Sequence, residues 1–257
     1  MSFVEEVVLI AVLALVCWTL FMMWRKRILA RYPYATLYLA SFVLLNPLRW
    51  MFCVKFGFWS TENFLAYWLG DYVPRLLVSL AAVQFIELAL EESRLQIGRS
   101  TFLLARLIVV VVSGFVLISY YIPRLTNPQG RSAYKLFLYF PSTLLIFLAW
   151  IAYRRCDRSE LQPRLLIAAI GLNSAINMAS LAMHAFSLTV GGRTQFLLNF
   201  TLPAEPIAFL VMELLWLYAA ISLDPPNAIE ARERELVRAS GSLSVLAAVF
   251  SRAKEET

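Results

Sequence analysis

Seven apolar runs, each about twenty residues long, divide this chain, and they constrain its fold more than any motif it contains. Inside a bilayer every backbone N–H and C=O must find its partner within the segment, so runs of this length are read as helices and not as strands. They are Phe3–Trp24, Ala35–Phe56, Phe64–Leu90, Phe102–Ile122, Leu136–Tyr153, Leu165–Phe186 and Pro203–Leu223. Hydrophobic residues make up 60% of the 257 positions and charged ones 16%, against roughly 25% charged in an average soluble domain. Too little polar surface is left to cover a water-soluble enzyme, which is excluded. The expected fold is an all-α integral membrane protein, a seven-transmembrane-helix bundle over residues 1–223 followed by an amphipathic tail at 224–257.

Basic residues set the orientation. Sixteen of the 23 Lys and Arg fall in the first, third and fifth connections and the tail, among them Arg25, Lys26, Arg27, Arg94, Arg154, Arg155 and Arg232. The opposite side holds five, namely Lys55, Arg124, Arg131, Lys135 and Arg193. Cytoplasmic connections carry the basic excess, so the N-terminus is expected outside, the C-terminus in the cytoplasm, and the protein in the cell membrane, the inner one in a bacterium. Much of the net charge of +6 is thus a topology signal, and no nucleic-acid partner is inferred from it. The start, Met-Ser-Phe-Val-Glu-Glu, has no basic n-region, and no small-residue cleavage site follows, so the first run is expected to be a retained span.

Connections are short except Pro123–Lys135, where Asn127, Pro128, Gln129 and Gly130 read as a turn. In the tail, Pro225 and Pro226 end the last span, and Asn227 and Glu230 stand at capping-box spacing before a helix with Ile229, Leu236 and Val237 on one face. Leu243, Leu246 and Phe250 mark a second amphipathic piece. Such a tail lies on the bundle or the lipid headgroups, or docks a cytoplasmic protein partner.

The residues that break the apolar runs are the candidate site. Asn173, Asn177, Ser180 and His184 stand at i, i+4, i+7 and i+11 and so form one stripe on span six, running from mid-membrane to the outer end. Amides and hydroxyls facing lipid are costly, so the stripe is expected to face the bundle, either as glue between helices or as the wall of a wet cavity. On span three, Asp71 and Arg75 are i, i+4 in the favourable acid-first order, about 10 and 17 Å from the outer end. Arg49 on span two, just after Asn46-Pro47, is level with Asp71. Glu213 lies about 15 Å down span seven, where a carboxylate either takes up a proton or finds a cation such as Arg75. These four are neutral as a set. They form either a structural ion-pair network or, with the stripe, a polar pocket in the outer half of the bundle open to a small-molecule ligand. Glu205, nearer the outer surface, is the weaker candidate.

Several chemistries fail on counting. One His rules out zinc sites built on two or three imidazoles, and Asp71, Glu213 and His184 would be the only three-ligand set to consider. The four Lys lie at span ends or in loops, so no retinal attachment is expected, and Glu91-Glu92-Ser93-Arg94 does not match the acid-Arg-aromatic triplet of a G-protein-coupled receptor. Cys17, Cys53 and Cys156 are scattered and imply no disulfide framework. Ser113, Ser142 and Ser174 lack a His at matching depth, which argues against a serine hydrolase. No cofactor is implied. Trp24, Trp50, Trp59, Trp68, Tyr120, Tyr121, Tyr134 and Tyr153 fall near span ends, as in an interfacial belt.

Tyr32-Pro33-Tyr34 after a basic connection with Tyr38 beyond it, Tyr67-Trp68 before Asp71, Ile86-Glu87, and Leu215-Trp216-Leu217-Tyr218 together make the chain similar to an uncharacterised group of bacterial seven-span membrane proteins. The resemblance implies the span layout and carries no activity, cofactor or site residue with it. The function expected from the residues is that of a receptor-like sensor or membrane-complex component, not an enzyme. A small-solute or proton-coupled transporter, in which Asp71 or Glu213 changes protonation, is the alternative, and an intramembrane lipid-modifying enzyme comes third.

Overall fold

Proline, glycine and serine punctuate the apolar runs where the chain turns. A computed structural model of the chain describes residues 3–57, 60–92, 98–116, 129–155, 161–189 and 195–222. These residues form α1 (Phe3–Arg25), α2 (Ile28–Arg31), α3 (Pro33–Phe56), α4 (Thr61–Glu92), α5 (Arg99–Val116), α6 (Gln129–Arg155), α7 (Leu161–Thr189) and α8 (Gln195–Ser222). Four helical stretches, Pro33–Phe56, Leu65–Glu91, Leu161–Met183 and Ala204–Ile221, are long and apolar enough to cross a membrane, and Ile10–Arg25 and Ser100–Phe115 are shorter apolar helices. The protein is therefore an all-α polytopic membrane protein.

Local chemistry accounts for the boundaries. Arg27 turns the chain after α1 in the left-handed region, with φ 58°, and its N–H bonds the Trp24 carbonyl at 2.9 Å. Pro33 then takes the first position of α3, where its missing N–H costs nothing. Gly57, at φ 88°, closes α3 by bonding its N–H to the Cys53 carbonyl at 3.0 Å. Ser60 caps α4, its hydroxyl oxygen accepting the Asn63 N–H at 3.0 Å, and this cap starts the helix at Thr61, ahead of the apolar run.

Other helices also outrun their apolar stretches. Gln129–Lys135, expected within a connection, opens α6, and α8 starts at Gln195, ahead of the Pro203 expected to begin the last span. Hydropathy marks the part of a helix matched to hydrocarbon, and polar first turns such as Gln129-Gly130-Arg131 project beyond it. Pro47, Pro74 and Pro141 all lie inside helices. Around two of them hydroxyls hold the backbone: Ser79 donates to the Arg75 carbonyl at 3.1 Å, and Ser142 and Thr143 both donate to the Tyr139 carbonyl. The tail at 224–257 and the Asn127-Pro128 turn lie outside the described residues.

Six helices close a ring in which α1 packs on α3, α3 on α4, α4 on α6, α6 on α7, α7 on α8, and α8 back on α1. α4 also touches α7 and is the most enclosed of the four long spans. Small residues let its neighbours approach, since Ala81, Ala82 and Ala89 are fully buried, as are Ala149, Ala169 and Ala219 on the facing helices. Between them Phe85 meets Tyr32 at 5.5 Å and Tyr153 at 6.4 Å between ring centres. Tyr153 and Trp68, expected in an interfacial belt, are instead buried, whereas Trp24 and Trp50 are exposed. Position along a span was readable; which way the ring turned was not.

α5 packs on α4 and turns Leu103, Leu104, Leu107, Ile108, Val111 and Phe115 outward. Its fixed point is an ion pair of Arg106 with Glu87 of α4, and the same guanidinium lies 5.5 Å from the Tyr34 ring centre on α3. Other contacts gather at this basic end: Lys26 Nζ donates to the Ile221 carbonyl at 2.8 Å, and Gln84 Nε2 to the Arg31 carbonyl at 2.8 Å. Lys26 thus places a cation on the unsatisfied C-terminal carbonyls of α8.

Because Ala81 fills its site with no surface left, Ala81→Leu forces α4 away from its neighbours and is expected to cost about 1–3 kcal/mol, against less than about 0.5 kcal/mol for a polar swap at exposed Glu91. Thermal unfolding of the two variants in one detergent checks the difference.

Candidate functional site

α7 brings the most regular polar face into the bundle. Asn173 is 2% exposed and Ser180 is buried, as is Ser174 beside Asn173, while Asn177 is half-buried, so these residues of the stripe face inward. Its lower half is tied within its own helix, with the Asn177 amide donating to the Asn173 carbonyl at 2.6 Å and to its Oδ1 at 2.9 Å. That leaves the Asn173 Nδ2 free to cross to α3, where it donates to the Tyr38 hydroxyl at 3.0 Å. Tyr38 in turn donates to the Met212 Sδ of α8 at 3.7 Å. Ser174, the next residue on α7, accepts from Arg75 Nη1 of α4 at 3.4 Å.

The Arg75 guanidinium lies on the face of Tyr139 from α6, 3.6 Å from the ring centre. A cation desolvated against an aromatic face gains up to about 2 kcal/mol, which is one way of carrying an arginine in the middle of a bundle. The result is a polar layer built by α3, α4, α6, α7 and α8, in which every step is a contact between side chains. Tyr38 sits at its centre, fully buried, within electrostatic reach of both Arg75 and Glu213.

Glu213 borders the layer on the side of α1. It is fully buried, and among the described residues neither carboxylate oxygen meets a donor in hydrogen-bond geometry. The neighbouring Thr19 of α1 spends its proton on the Leu15 carbonyl of its own helix, at 3.0 Å. Of the two alternatives expected for Glu213, proton uptake or a cation such as Arg75, no ion pair with Arg75 is formed among the described residues. Depth along two spans says nothing about the rotation of either, and Tyr38 is within electrostatic reach of both charges.

Contacts and burial place the other expected residues. Arg49 lies over the Tyr67 ring, 3.8 Å from its centre, and so is carried by an aromatic face too. Asp71 is half-buried one turn before Arg75. Ser180 donates to Glu205 at 2.6 Å, so the acid set aside as the weaker candidate is the one that holds the outer part of the stripe. The side chain of His184 lies outside the described residues. Among the described residues no three His, Cys, Asp or Glu side chains come together as a metal site would need, and Cys17 and Cys53 are free thiols.

Tyr38, Tyr139, Ser174 and Met212 are the participants that sequence reasoning missed. Ser174 adjoins Asn173 and lies only about 100° round the helix from it, so a broader face would have included it. Tyr139 and Tyr38 carry a weaker signal, as buried aromatics near a charge that lacked a certain partner. No family model, curated protein or solved structure matches the chain.

Removing the Tyr38 hydroxyl leaves the buried Asn173 amide without its acceptor. Tyr38→Phe is expected to cost about 1–3 kcal/mol, and the double variant Tyr38→Phe/Asn173→Leu less than the sum of the two single changes, because the orphaned amide is gone. Unfolding curves of the four proteins in detergent give the coupling directly.

Proposed function

We propose that this protein is a seven-span bundle with its N-terminus outside and its tail in the cytoplasm, and that it works as a receptor-like sensor or sensing subunit of a membrane complex. The observation that carries this reading is the polar layer. Arg75, Ser174, Asn173, Tyr38 and Met212 link four helices through side chains alone. A ligand that takes over one of these contacts alters the packing of several helices at once, which is what transmitting an outer signal to a tail requires. Pro74, inside α4 and one residue before Arg75, supports it, since a proline inside a span leaves the backbone free of one bond at that level. The likeness to bacterial seven-span proteins and the basic bias of one end fit the same layout.

The runner-up is a proton-coupled transporter. It draws on Glu213, a buried acid at the boundary of α1 and α8 with no donor in hydrogen-bond geometry among the described residues. Intramembrane carboxylates of this kind serve as proton relays in pumps and transporters.

The two readings diverge in proteoliposomes. A sensor carries no solute and no proton current under an imposed pH gradient, and a current lost on Glu213→Gln would replace the first reading with the second. Orientation is checked separately: in a background without the three native cysteines, Arg154→Cys is expected to label from the cytoplasmic side only and Glu62→Cys from the outside only.

A further inference from the structure

A guanidinium carries a full charge and five donors in a rigid fork, and in protein interiors it is commonly met by a carboxylate or a phosphate. At Arg75 the contacts are the Tyr139 ring face and one long hydrogen bond to Ser174, and among the described residues no carboxylate stands at ion-pair distance from it. Yet Arg75 is not sealed: it keeps 5% of its surface, whereas Glu213 keeps none. Beside it Tyr72 and Tyr139 form an apolar cluster of their own, apart from the main core, with Val73, Leu76 and Leu181 only partly buried against it.

The charged and titratable groups around the guanidinium set what can join it. Tyr38 and Tyr139 bring hydroxyl groups, Asp71 stands one turn before it on α4, and Glu213 is within electrostatic reach of Tyr38. One positive charge with an acid a turn away suits a monoanion and repels a dianion.

We propose that Arg75, with the Ser174 hydroxyl and the face of Tyr139, receives the carboxylate of a small organic monoacid whose apolar body lies against Val73, Leu76 and Leu181. The assignment rests on the reading of the polar layer as a ligand site. Binding replaces the long Ser174 contact with a two-pronged, charge-assisted one and keeps the aromatic stack beneath the guanidinium. No covalent step is involved.

The test compares hexanoate with hexanamide, which has the same shape and no charge, on the full chain in nanodiscs, read by tryptophan fluorescence and by the shift in melting temperature. Hexanoate is expected to bind saturably and hexanamide at least about tenfold more weakly, as the loss of a charged hydrogen bond entails. Arg75→Lys, which keeps the charge and loses the fork, is expected to weaken hexanoate about tenfold. Because Arg75→Gln can unfold the bundle, Ser174→Ala carries the same test with the charge in place and is expected to weaken hexanoate by about threefold to tenfold. Hexanoate binding unchanged in both Arg75→Lys and Ser174→Ala overturns the proposal, and so does the absence of saturable hexanoate binding. If hexanamide binds as well as hexanoate and Asn173→Leu removes both, the anion assignment falls while the sensing layer stands; the proton-current measurement judges that reading on its own.

Discussion

Hydrocarbon offers no hydrogen bonds, and this one deficiency organises the protein at two levels. At the first it forces every spanning backbone into helices, which is why the apolar runs predict elements so directly. At the second it acts on side chains. A polar group placed inside the bundle must be met by another protein group, and the needs of Asn173, Arg75 and Tyr38 draw four helices to a common level. The polar layer is thus the same constraint as the helices, applied between segments instead of within them.

Arginine shows how the constraint is met without opposite charge. Arg49 and Arg75 both lie across tyrosine rings, at 3.8 and 3.6 Å from the ring centres. An aromatic face stabilises a cation while leaving its edge donors unspent, which an internal carboxylate would not. Arg106, by contrast, is paired with Glu87 near the end of α4 and serves to fasten a helix. The two kinds of arginine divide the charge of the bundle between holding it together and leaving something to be bound.

Much of this was legible beforehand, and the rest for a definite reason was not. Periodicity on span six marked Asn173, Asn177 and Ser180 as one inward face, because 100° per residue is a property of the helix alone. Arg75 and Glu213 were assigned to spans that the structure forms as α4 and α8, because 1.5 Å per residue is equally local. The choice between a protonated Glu213 and one paired with Arg75 was not legible, because it depends on how α4 and α8 are rotated, and Tyr38 is within electrostatic reach of both. The burial of Trp68 and Tyr153 escaped for the same reason.

The closure of the ring has a consequence for how the chain is made. α1 and α8 are the first and last of the described helices in chain order, yet each is the other's neighbour. The packing of Leu15, Thr19 and Glu213 therefore joins residues roughly two hundred positions apart, and it can form only after the whole bundle has been synthesised. The seam between α1 and α8 therefore cannot close before α8 has been synthesised.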